Sequence, residues 1–138
     1  MKRITAIALL AIANFAMATA SLAQSNGVKA NVPFAFTVGD KVLPAGIYTI
    51  KSESSQVIVI RNHDLTATAL TLVDQESNNS PSGGRLVFHR YGGQYFLSEI
   101  LCNAADMNVR IPTSKREKTV QLEQARVGTT GQTLVAAR

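Results

Sequence analysis

The side chains able to do chemistry in this sequence are few: the adjacent pair His63 and Asp64, the group His89, Arg90, Tyr95 and Glu99, and a single cysteine, Cys102. A histidine beside an aspartate has the composition of a general base and its orienting acid. Adjacent residues point apart on a strand, however, and His63-Asp64 is expected in a turn between strands rather than in a site. An acid, a cation, an imidazole and a phenol on one hairpin are better placed. His89, Arg90, Tyr95 and Glu99 are candidate ligand or interaction residues, with the alternative that they satisfy one another at a sheet margin. Cys102 follows the apolar run Phe96 to Leu101 and has three fates: a buried small hydrophobe, an intermolecular thiol, or a reactive group.

No nucleophile elbow, phosphate-binding loop, HExxH, dinucleotide fingerprint or EF-hand loop occurs. One cysteine and two scattered histidines offer no local metal-ligand spacing, so neither a metal, a cofactor nor a catalytic residue is expected. Lys115, Arg116 and Lys118 cluster, but Glu117 interrupts them and few aromatics interleave, so no nucleic-acid partner is expected.

The elements that must position the candidates begin after an export segment. Lys2 and Arg3 precede a largely apolar stretch from Ile4 to Ala20, which closes on Ser21-Leu22-Ala23. That pattern predicts a signal peptide over residues 1–23, with the weaker alternative of cleavage after Ala20, and hence a periplasmic or extracellular destination. Residues 24–138, about 115 in number, suffice for one domain and are too few for two. Without Lys2 and Arg3 the net charge of +5 falls to about +3, a mild basicity that permits weak attraction to anionic envelope surfaces. No second cysteine is present to form an intramolecular disulfide, so the core alone must stabilise the fold.

Val28, Ala30, Val32, Phe34, Phe36 and Val38 alternate with the residues between them, the period of a strand, and Pro33 places that strand at a sheet edge or marks a bulge. Gly39-Asp40-Lys41 and Leu43-Pro44-Ala45-Gly46 read as turns feeding Ile47 to Ile50. Further strands are expected over 56–61 and 66–73, then a loop over 74–84. Leu86 to Tyr91 and Gln94 to Ile100 flank Gly92-Gly93, the signature of a tight hairpin. With a two-residue loop, Arg90 faces Tyr95, His89 faces Phe96 and Phe88 faces Leu97.

A break follows over 102–108. Ser114-Lys115-Arg116-Glu117 has the spacing of a capping box and opens a helix over about 114–127, and residues 131–137 can close the sheet as a last strand. The expected fold is mainly β: a six- to seven-stranded antiparallel meander curled into a small barrel or sandwich, with one C-terminal helix packed on it. After signal cleavage no membrane-spanning segment is expected.

The segments Val-Pro-Phe-Ala-Phe-Thr-Val-Gly at 32–39, Leu-Pro-Ala-Gly-Ile-Tyr at 43–48 and Leu-Val-Phe-His-Arg-Tyr-Gly at 86–92 carry a resemblance. With Tyr-Phe-Leu-Ser-Glu-Ile at 95–100 and Pro-Thr-Ser-Lys-Arg-Glu at 112–117, the chain resembles a family of short, uncharacterised exported bacterial proteins. That resemblance implies export and a compact domain, and it implies no activity. Two functions are expected: a non-catalytic structural or interaction module, envelope-associated or extracellular and able to self-associate, or a barrel binding a lipophilic ligand in a cavity lined by Phe34, Phe36, Tyr48, Phe88 and Phe96.

Overall fold

The computed structural model describes residues 27–77, 83–128 and 130–138, so the expected export segment and part of the expected 74–84 loop lie outside the described residues. In chain order the elements are β1 (Gly27–Val32), β2 (Phe36–Val38), β3 (Lys41–Leu43), β4 (Gly46–Ser54), β5 (Val57–Asn62), β6 (Thr68–Leu72) and β7 (Asp74–Gln75). There follow β8 (Gly84–Tyr91), β9 (Gln94–Cys102), β10 (Met107–Arg110), helix α1 (Lys115–Ala125) and β11 (Thr130–Ala137). The eleven strands form one sheet with the path β3-β2-β9-β8-β11-β1-β4-β5-β6, and β10 pairs with β9 and β7. The class is mainly β, and the sheet curls into a nearly closed barrel. At its two ends Lys41 Nζ, on β3, donates to the Thr68 carbonyl of β6.

The strand count exceeds the expected six or seven for local reasons. The long alternating stretch 28–38 breaks at Pro33 into β1 and β2, because proline cannot extend the ladder that ends at Val32↔Gly46. After the break β2 runs parallel to β9 at Thr37↔Phe96. Pro33 therefore ends a strand instead of marking an edge: β1 is interior, between β11 and β4. The 39–46 turns enclose β3, the expected 74–84 loop contains β7, and the expected 102–108 break contains the start of β10, whose later residues pair with β7 at Val109↔Gln75 and Arg110↔Asp74. The plain meander is corrected as well. β1-β4-β5-β6 and β8-β9-β10 are antiparallel runs, and β11 inserts between them.

Alternation decides what faces inward. Val28, Ala30, Val32, Tyr48, Ile50, Ile58, Ile60, Leu86, Phe88, Ile100 and Val109 are buried in one continuous core. Phe36 meets Tyr48 and Phe88 edge-on, with centroids 5.1 and 5.4 Å apart, and Phe34 meets Phe88 at 5.2 Å. Quadrupolar rings favour these T-shaped contacts, which fill the middle of the barrel with aromatic mass. Phe96 points to the opposite, outer face, where it packs with Tyr91 and with Val120 of α1. The helix is shorter than the expected 114–127, and it starts where expected: the Glu117 N–H donates to the Ser114 hydroxyl at 3.1 Å. Among the described residues no helix is long and apolar enough to cross a membrane.

Candidate functional site

The β8–β9 hairpin carries most of the candidate residues, and its register is the expected one at the turn. Tyr91 faces Gln94, Arg90 faces Tyr95, His89 faces Phe96 and Phe88 faces Leu97. Gly92 occupies the left-handed region at φ +61, a conformation that costs glycine little. Beyond Phe88 the register shifts, with Val87 opposite Glu99, so Ser98 is an extra residue in β9. Such a bulge turns the following side chains to the other face. Glu99 thereby leaves the face of Phe88 and Leu97, on which strict alternation places it, and points outward.

The four candidates consequently divide. Glu99 joins Arg110 at 3.4 Å, and Arg110 also meets Glu76 at 3.2 Å, an exposed ion pair well away from Arg90. The Arg90 guanidinium lies 5.8 Å from the Tyr95 ring centroid, and its Nε donates to the Gly92 carbonyl at 2.9 Å. Tyr95 in turn stacks on Phe34 with centroids 4.0 Å apart and planes 19° apart. Arg90 and Tyr95 thus form the polar margin of the barrel core. Cys102 is buried in the barrel core as a free thiol. His63 and Asp64 lie in the β5–β6 turn, which is closed by the Asp64 N–H donating to Asn62 Oδ1 at 2.8 Å.

His89 belongs to a different group. Its Nδ1 lies 2.9 Å from Glu117 Oε1, its Nε2 lies 3.2 Å from Ser98 Oγ, and the Tyr91 hydroxyl donates to the same Glu117 oxygen at 3.3 Å. Each member has a separate structural origin. His89 and Tyr91 share a face by strand periodicity, the bulge supplies Ser98, and the first turn of α1 supplies Glu117. When Nδ1 carries the imidazole proton, His89 donates to Glu117 and its Nε2 accepts from the Ser98 hydroxyl. Glu117 is 5% exposed, so two donors from the sheet offset the cost of burying its charge. Burial, then the charge of Glu117 and its hydrogen bond, hold the Tyr91 phenol above its ordinary range.

A hydroxyl, an imidazole and a carboxylate in this order have the connectivity of a nucleophile–base–acid relay. Chemistry on an acyl group also requires the carbon to approach Ser98 Oγ and an oxyanion to meet donors. Ser98 is 5% exposed, and its own carbonyl accepts from the Ile111 N–H at 2.7 Å, inside the β9–β10 junction. In this conformation the group holds α1 against the barrel. Among the described residues no three metal-ligating side chains gather.

Sequence reasoning missed Ser98, Tyr91 and Glu117 as members of one group. The periodicity that puts His89 and Tyr91 on one face was a usable signal. Glu117 was assigned to the helix cap, and its side chain instead reaches the sheet. Comparison with family models, curated proteins and solved structures returns no match.

Two grooves among the described residues lie apart from this group. One, of about 850 Å³, follows the barrel seam between Val38–Lys41 and Thr68–Leu72. The other, of about 580 Å³, lies where β11 and β1 diverge and includes Ala30, Ile47 and Val135 in its lining. The ladder between these strands is limited to Ala30↔Ala137, extended by reciprocal backbone hydrogen bonds between Lys29 and Arg138.

Proposed function

We propose that this chain is an exported, non-catalytic β-domain that works through surface contacts, an envelope-associated or extracellular structural or interaction module that self-associates. The observation that carries this reading is the contrast between the packed interior of the barrel and the outer face of its terminal strand β6. Inside, the rings of Phe34, Phe36, Tyr48 and Phe88 pack edge-on against one another. Outside, Leu70 and Leu72 stand 68% and 64% exposed on the terminal strand, cross-strand from Val59 and Val57. Apolar side chains gathered at a strand with a neighbour on one side only are the usual ground for association.

The backbone points the same way. Ala67 accepts from Asn62 and Val73 donates to Gln56, so the odd-numbered residues of this segment direct their peptide groups toward β5 and its flanks. Thr68, Leu70 and Leu72 therefore direct theirs toward the seam, where Lys41 engages the Thr68 carbonyl. The strand carries no charged residue of its own to deter a neighbour.

Native mass spectrometry of protein from the exported fraction, alongside a Leu70→Lys/Leu72→Lys variant, tests the proposal. The expected result is a multimer of bare chains lacking residues 1–23, converted to monomer in the variant. Bare monomers at every concentration would overturn self-association. Monomers carrying extra lipophilic mass that is lost on denaturation would favour a ligand-binding barrel instead.

A further inference from the structure

The core of the barrel and the packing beneath α1 are separate. The continuous inner core contains no residue of the helix, and the helix belongs to a small outer cluster of Tyr91, Phe96 and Val120. Val120 is the one buried apolar residue of α1, while Leu122 and the following Val127 are exposed. An eleven-residue helix is marginal in isolation, and one valine is a small apolar anchor. The remaining attachment is polar: Glu117 to His89 and Tyr91, with Gln124 resting against the Gly92 turn.

We propose that α1 is a releasable strap tied down at Glu117: loss of that carboxylate's contacts lets the helix leave the barrel face and uncover Tyr91 and Phe96, while the barrel remains folded. The charges around Glu117 set the direction. From β8 it is faced by His89 and Tyr91. The neighbouring positions of β9 and β11 across from His89 are Phe96 and Gln132, which carry no charge. On the helix itself Lys115, Arg116 and Lys118 surround it, exposed, and Glu117 is the acid of that first turn.

While ionised, Glu117 offsets these cations and the partial positive charge of the helix N-terminus. A neutral side chain in its place makes weaker hydrogen bonds to His89 and Tyr91 and leaves the basic helix end without its acid. The inner core holds no helix residue, so its packing survives the loss.

Hydrogen exchange on the full exported chain tests this inference, comparing wild type with Glu117→Gln, which keeps the shape of the protonated acid. The expected result is exchange about tenfold faster at the amides of residues 118–125, the scale of a lost charge-assisted hydrogen bond, with β4 and β5 unchanged. Glu117→Ala, which removes the hydrogen bonds as well as the charge, should show the same pattern with at least as large a factor. Helix protection that is unaltered in both variants would overturn the strap. So would acceleration of β4 and β5 by the same factor, which would make the helix part of one cooperative unit.

Discussion

Tyr91 and Tyr48 show how burial and local charge act on one kind of side chain. Burial raises the phenol of Tyr91 above its ordinary range, and the negative charge of Glu117 and the hydrogen bond to it raise it further. Burial also raises Tyr48, partly opposed by a hydrogen bond with Asn62, and the Tyr48 hydroxyl donates to the Pro44 carbonyl at 2.5 Å. The folded chain therefore holds both protons more tightly than the unfolded chain does. The associated stability is complete below about pH 10 and disappears as pH rises through the folded-state values. Phenolate absorbance should show two tyrosines ionising late, together with falling urea resistance in the same alkaline window. In Glu117→Gln the Tyr91 step should move to lower pH while that of Tyr48 stays in place. A Tyr91 step unmoved by that substitution would contradict the contact.

At the scale of the element, the hairpin of β8 and β9 divides what was legible in the sequence from what was not. Gly92-Gly93 and the flanking alternation specified the pairs from Tyr91↔Gln94 to Phe88↔Leu97, because a two-residue turn fixes register locally. The extra residue at Ser98 was not readable. Leu-Ser-Glu-Ile does set two polar residues together between apolar ones, but that alone does not place an extra residue, and the bulge occurs where β9 gives up β2 as its neighbour and takes β10. The start of the helix was legible through Ser114, whereas the destination of the Glu117 side chain depends on a strand elsewhere in the chain. Likewise, Pro33 announced an interruption, but whether it marks an edge or an end depends on the strands beside it.

Close approach between elements has its own test. A Cβ at Gly84 would lie 2.5 Å from the Ala137 carbonyl oxygen and 3.1 Å from Cys102 Sγ. Gly84→Ala should therefore force β8 and β11 apart at that end and cost about 1–3 kcal/mol in urea unfolding, a typical overpacking penalty. Gly93→Ala, with open space around its Cβ, is the matched control.

For the whole molecule, the position of β11 matters most. Its ladder with β8 runs from Thr130↔Tyr91 to Ala137↔Gly84, and its far end bonds to β1 through Lys29 and Arg138. A chain lacking residues 130–138 would leave β8 and β1 unpaired along facing edges, and it should lose cooperative unfolding altogether in a denaturant titration. The barrel class was legible from many short strands and tight turns. This insertion was not, since periodicity locates strands without saying which lie side by side.

The placement of β11 also bears on the order of events in the cell. A ribosome makes β1 early and β11 late, and the sheet between β8 and β1 has no bridging strand until residues 130–138 emerge. The growing chain is thus barred from closing prematurely by its own topology. On the proposed export route that delay is useful, because a polypeptide threaded through a narrow translocation channel must remain open until it has crossed.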